Sequence, residues 1–279
     1  VTDIGTGTLT IMTQIAADAM GMSIDDVIFT YGDSKKPFAP LQGGSFTTAT
    51  VGSAVLLACK ELKKKMVKLV KKIPHFDFSK AGDAEIIVRD AQIYLQHDPS
   101  KMISFADLIA ANGGKAVRTT NTSTPKFLTL RKYAKAAHSA AFVEVEVDRD
   151  LGTITVTRAL TAVAAGRIIN PKTARSQILG GMVWGIGKAL SEETLLDSKL
   201  GKYMNVNLAE YHIPVHADIH DLDVMFVDEK DEIINELGVK GVGEIGIVAM
   251  TAAITNAIYH ATGKRINDLP VHFDRLLNE

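Results

Sequence analysis

Gly238-Val239-Lys240-Gly241-Val242-Gly243-Glu244-Ile245-Gly246 is the stretch on which the reading of this chain turns. Gly241, Gly243 and Gly246 match G-x-G-x-x-G, the dinucleotide fingerprint, which has meaning only between a strand and a helix in a βαβ unit. Here the preceding Asn235-Glu236-Leu237 does not read as a strand, and too little chain follows the next helix for a full second strand. What remains is a carboxylate, Glu244, at the head of an apolar run to Thr262. The pattern predicts one buried helix from about Glu244 to Thr262 and places Glu244 inside the protein, where a carboxylate is costly unless paired or used. Two roles stay open for it: an N-terminal cap favoured by the helix dipole, or a general base.

Working outward, three more segments bring glycine and small polar residues to a helix start: Asp3 to Thr8, Gln42 to Thr50, and Asn170 to Gln177. Unbonded N–H groups of a helix's first turn attract anions, and glycine lets a ligand approach the backbone. Each segment alone reads equally well as a tight turn or a cap. Together they suit the walls around one extended anionic ligand. Arg175 and Gln177 in the third can hydrogen-bond such a ligand or face water. Gly181, Gly185 and Ala189 then recur at four-residue steps, flattening one face of that helix for another backbone or a planar group.

Periodicity places the other elements. Thr8 to Met20 keeps helical spacing and stops at Gly21, Val27 to Tyr31 reads as a short strand, and residues 84 to 97 alternate like a hairpin. Val51, Val55, Cys59, Leu62, Met66, Leu69 and Ile73 form the stripe of a long helix whose lysines, from Lys60 to Lys72, read as a solvated face. A short helix over Ser104 to Asn112, strands at 142 to 147, 153 to 162 and 222 to 227, and a helix from Asn170-Pro171 complete the set. Strands and helices mix without regular βαβ alternation, so the fold class is α+β, with mixed sheets and packed helices. A break near 134 to 140 would divide the chain into two subdomains.

The 279 residues carry 31 basic and 32 acidic side chains, so no general charge pulls the chain to nucleic acid, and no uninterrupted apolar run points to a membrane partner. One cysteine excludes a disulfide framework and a Cys-rich metal site within the chain. His212, His216 and His220 are spaced for a helical metal site, but Pro214 stands between the first two, and no side chain is assigned as a metal ligand. No P-loop, Ser–His–Asp elbow or H-E-x-x-H is present. The start at Val1, inside a motif, suggests a piece of a longer protein.

The ordered motifs Asp3-Ile4-Gly5-Thr6-Gly7-Thr8, Gly43-Gly44-Ser45 with Thr47 to Val55, Asn170 to Gln177 and Lys240 to Gly246 resemble the molybdopterin-binding large subunit of the xanthine dehydrogenase and aldehyde oxidase family, closest to its bacterial periplasmic-type aldehyde oxidoreductase branch. Tyr211 to Ile219 and Ala261 to Ile266 support the same likeness. The resemblance implies the C-terminal part of the molybdenum-cofactor region of a hydroxylase of aldehydes or N-heterocycles that takes its oxygen from water. It implies Glu244 as the catalytic base. It also implies Gly5, Thr6, Gly7, Thr8, Ser45, Thr47, Thr48, Ala49 and Thr50 around the pterin, pyrophosphate and nucleotide, with Arg175, Gln177, Gly241 and Gly243 as further cofactor contacts. Many members carry Gln where this chain has Thr6. The expected cofactor is molybdopterin with molybdenum, in the cytosine dinucleotide form. The expected partners are the upstream half of the subunit and subunits holding [2Fe–2S] and FAD, in the cytoplasm or, through a partner's export signal, in the periplasm. The isolated piece is expected to be inactive. The alternative is a non-catalytic scaffold that keeps the fold and a nucleotide-sized groove.

Overall fold

A computed structural model describes residues 1–73, 78–124 and 131–277. The chain divides into two compact units, the first Val1–Lys135 with Asp231–Val239, the second Ala136–Lys230 with Lys240–Glu279.

In the first unit, helix α1 (Thr8–Met20) ends at Gly21, whose φ of 67° is the left-handed conformation that suits glycine at a helix end. Gly21 is also a close-approach point, because a Cβ there would sit 3.0 Å from the Asp90 nitrogen. A π-turn over Thr48–Gly52 leads into α2 (Ser53–Val70). Cys59, Met66, Val67 and Val70 of α2 are buried, whereas Lys60, Lys64, Lys68 and Lys72 face solvent. Strands β1 (Ile86–Arg89), β2 (Gln92–Leu95) and β3 (Asp98–Ser104) form an antiparallel sheet in the order β1-β2-β3. Ile86, Ile93, Leu95 and Ile103 of that sheet join the α2 side chains and Leu108 of α3 (Phe105–Ala111) in one core. Ser104 caps α3 by accepting the Asp107 N–H at 3.0 Å. The strand expected at Val27 to Tyr31 does not form: Ile24–Asp26 is a 3-10 turn, and the residues after it join no ladder among the described residues.

In the second unit, β4 (His138–Val147) pairs antiparallel with β5 (Ile154–Ala164), and β8 (Asp221–Phe226) pairs parallel with β5 on its other edge. Between them lie α4 (Pro171–Leu190) and a small hairpin of β6 (Leu196–Asp197) and β7 (Lys202–Tyr203). Asn170 starts α4 as predicted, its side chain accepting the Thr173 N–H at 3.1 Å with Pro171 in the first turn. The expected helix from Glu244 to Thr262 is two pieces, α5 (Ile245–Val248) and α6 (Met250–Thr262), followed by α7 (Asp274–Leu277). Only one face of α6 is buried, through Met250, Ile254 and Ile258. These pack with Val156, Ala159 and Val163 of β5 and Ile178, Met182 and Ile186 of α4 into a second core.

The small-residue stripe on α4 has a concrete cause. A Cβ on Gly185 would lie 2.4 Å from the Met250 Cβ, and one on Gly181 would lie 2.9 Å from the Gly246 Cα. Reciprocally, a Cβ on Gly246 would meet the Ile178 carbonyl oxygen at 2.4 Å. Helix-to-helix contact, not a planar ligand, occupies that face.

Candidate functional site

The first glycine loop is already occupied by the chain itself. Asp3 Oδ1 accepts the Gly5 N–H at 3.0 Å and the Gly7 N–H at 3.2 Å, while Oδ2 accepts the Leu9 N–H at 3.3 Å. Partial burial alone would raise the Asp3 pKa, but the N–H groups of Gly5, Leu9, Gly7 and Thr8 outweigh it and hold the carboxyl below its usual 3.8. Gly7 precedes α1 with φ 78°, and Thr8 is buried with its Oγ1 3.1 Å from that of Thr6. Asp3 thus holds the amides of Gly5 and Gly7 from within the loop that was expected to cradle a ligand. The Thr8 side chain is sealed inside the first unit. Gly5 is exposed, and Thr6 is half-buried at the loop's rim.

The second loop of the first unit keeps its donors. Gly44 and Ser45 have φ of 58° and 57°, which turns the chain sharply into the helical run. The Thr50 N–H reaches back to the Phe46 carbonyl at 3.0 Å, and the Thr50 hydroxyl donates to the same carbonyl at 3.0 Å. The N–H groups of Thr47, Thr48 and Ala49 precede that bond and have no acceptor within the helix. These residues, Ser45 and Thr50 are all half-buried, with side chains small enough to leave the backbone approachable. Backbone donors of this kind are the groups that bind anions at a helix start.

In the second unit, Glu244 lies where α5 begins, but it is exposed rather than held inside. The misreading has a physical source. The run Ile245–Thr262 has a mean hydropathy of 1.3, yet that value is spread around the helix, and Val248 is 72% exposed. Nor is Glu244 a cap: it makes no side-chain capping hydrogen bond, and the helix it heads is a single turn. Its backbone, by contrast, is tightly held. Val242 and Ile245 pack on the second core, and Gly246 is pressed against the Ile178 carbonyl. On the other side, the Lys240 N–H bonds the Ala165 carbonyl at 2.9 Å. Gly241 and Gly243 between these anchors are half-buried and carry no side chain to shield their amides.

Gln177 and Arg175 part company. Two residues apart on a helix means about 200° of rotation, so they face opposite sides of α4. Gln177 stands one turn before Gly181, on the face where Gly246 packs. Arg175 instead bonds Asp223 of β8 at 2.9 Å, and this hydrogen bond holds the Asp223 carboxyl below its usual value. Arg175 lines a groove of about 960 Å³ with Glu144, Arg158, Asp223, Asn256 and His260, and neither Gln177 nor Glu244 reaches that groove. Among the described residues no cluster of His, Cys, Asp or Glu is arranged to hold a metal ion directly. Sequence reasoning did not foresee Asp3 as the ligand of its own loop, although Asp-x-Gly-x-Gly before a helix carries that signal.

The α+β fold is that of the cofactor-binding region of molybdenum hydroxylases. The chain matches the molybdopterin cofactor-binding domain family over residues 1–220 and belongs to that family. It is 40% identical over 281 residues to the aldehyde oxidoreductase molybdenum-binding subunit PaoC of Escherichia coli, covering 100% of this chain and 36% of the relative. It is 31% identical over 291 residues to a putative xanthine dehydrogenase molybdenum-binding subunit of the same organism, again covering 100% of this chain and 36% of the relative. Quinoline 2-oxidoreductase from Pseudomonas putida shares its fold with a TM-score of 0.81 at 24% identity, covering 99% of this chain and 35% of that one. The chain thus spans about 36% of the length of the relatives it matches.

Proposed function

We propose that this chain supplies amide donors for the cofactor and the general base of a molybdenum hydroxylase that oxidises an aldehyde or N-heterocycle with oxygen taken from water. The observation that carries the reading is Glu244, an exposed carboxylate on a turn fixed at both ends, in a chain of a molybdopterin-binding family. A molybdenum–pterin group, when bound, would supply the two-electron oxidation of the substrate carbon.

The chain's own groups do the rest. Glu244 would take the proton of the oxygen nucleophile on its carboxylate, and the fixed turn limits how far that carboxylate can sweep. The N–H groups of Thr47, Thr48 and Ala49 bind the anionic part of the cofactor, for which we propose the cytosine dinucleotide form. Gly241 and Gly243 offer backbone donors, and Gln177 offers its amide to the pterin. A [2Fe–2S] cluster needs four ligands, typically cysteines, and this chain has one cysteine, so the cluster would lie outside these 279 residues; we propose iron–sulfur and FAD subunits as the carriers of the electrons. The names of the relatives as molybdenum-binding subunits support that division of labour.

The test is Glu244→Gln in the complex assembled with the remainder of the subunit and its partners. Turnover should fall by about 10²–10⁴-fold with molybdenum content unchanged at one per complex. Loss of molybdenum in the variant would make Glu244 structural. No molybdenum in the unmutated complex would establish the non-catalytic scaffold instead.

A further inference from the structure

Lys240 carries the turn's most buried charge. Its side chain is 8% exposed and its ammonium is paired with Glu229, whose side chain is 27% exposed. The same Glu229 carboxylate uses its second oxygen to accept the Gly166 N–H at 2.7 Å. Lys240 in turn gives its backbone N–H to the neighbouring Ala165 carbonyl at 2.9 Å, and Ala165 is itself buried. Two adjoining residues at the end of β5 are thereby stapled to Lys240 by one carboxylate and one backbone bond.

The place of this staple along the chain matters. Glu229 precedes the point where the chain leaves the second unit, and Lys240 is the first residue after it returns. The pair closes the neck of the intervening segment, and Gly241-Val242-Gly243-Glu244 begins at the next residue. Two glycines make this turn soft, and nothing in their side chains can stiffen it. Its downstream end is fixed by Gly246 against Ile178, so its upstream end needs an equal anchor. A buried ion pair is a poor source of stability compared with apolar packing, but its geometry is specific.

We infer that the Glu229–Lys240 ion pair is the positioning element for Glu244, setting where the glycine turn starts and so where the carboxylate stands. The inference rests on the reading of Glu244 as the base, and its test separates the two. The assembled enzyme would be compared as Lys240→Met, Lys240→Arg, Glu229→Gln and Glu244→Gln, each followed by steady-state kinetics, molybdenum content and amide hydrogen exchange.

Lys240→Met should lower kcat about 100-fold with little change in KM, as expected for a displaced catalytic group. Exchange at Gly241–Glu244 should quicken by about tenfold while β5 and α4 keep their protection. Lys240→Arg, which restores the charge, should recover the protection and most of kcat. Glu229→Gln keeps the acceptor for Gly166 and removes only the charge, so it gives the milder form of the same pattern and stands in if Lys240→Met fails to fold. Wild-type exchange and wild-type kcat in Lys240→Met would overturn the inference. So would faster exchange throughout the unit that arginine does not repair, because the pair would then be a general stabiliser. If Glu244→Gln kept full turnover while Lys240→Met still loosened the turn, the base assignment would fall and the anchoring would stand.

Discussion

Two acids lie in glycine-rich turns of this chain, and they are used in opposite ways. Asp3 folds back onto its own loop and collects N–H groups from Gly5, Gly7 and Leu9, so the anion that the loop attracts is built in. Glu244 makes no such capping bond, and the backbone on either side of it is anchored. The difference lies in reach and in the order of the elements. Asp3 has a short side chain with the loop ahead of it and a long helix beyond, whereas Glu244 is already past its glycines when a single helical turn begins. The same composition thus yields a self-satisfied structural loop in one unit and an outward carboxylate in the other.

The contrast breaks most easily at the two acids themselves. Glu244→Gln should cost about 10³-fold in turnover and nothing measurable in stability, while Asp3→Asn should do the reverse, and equal behaviour in kinetics and thermal melting would erase the distinction. Next in size, Gly246→Ala should destabilise the second unit by about 3 kcal/mol, because the added methyl lands 2.4 Å from the Ile178 carbonyl. Urea unfolding of the assembled protein reads this, and an unchanged midpoint would mean that the α4–α5 contact is looser than described.

Asp3→Asn is smaller, about 1 kcal/mol. Its sign with pH comes from the lowered pKa: folded Asp3 binds its proton less readily than the unfolded chain does. The stabilisation is therefore complete above the unfolded value of 3.8 and is lost as pH falls through the lower folded value. Melting curves of wild type and Asp3→Asn should converge in that acid range, and a constant gap would show that shape, not charge, holds the loop. Smallest, the Thr161 hydroxyl is buried without a partner, so Thr161→Val should raise stability by about 1 kcal/mol, read as a higher urea midpoint.

Helices are the legible part of the fold, because their signals are local. The α1 stripe with Gly21, the Ser104 cap and the Asn170-Pro171 start lie within a few residues of the bonds they make. Val27 to Tyr31 shows the limit: it has the composition of a strand, but a strand exists only with a partner, and pairing is not written locally. β3 is illegible for the related reason that Asp98, Pro99, Ser100 and Lys101 dilute its pattern, while its ladder with β2 supplies the missing stability. At the site, the candidacy of Glu244, Gln177 and the Thr47–Ala49 amides is readable from the motif order. The exposure of Glu244 is not, since mean hydropathy does not say how apolar residues are distributed around an axis. Asp3 as an internal ligand, and Arg175 as a tie to β8, depend on contacts that only the folded chain defines.

The departure of Asp231–Val239 from the second unit to the first has a consequence for anyone who tries to cut the protein in two. Leu237 and Val239 are buried, and a Cβ on Gly52 would strike Leu237 and Ile15, so this short visitor fills a slot in its host. A product ending at Lys135 would have that slot empty, and one starting at Ala136 would carry the greasy insert with nowhere to put it. Sequence continuity and physical autonomy disagree here, and neither half is a module that evolution or a cloning experiment could lift out intact.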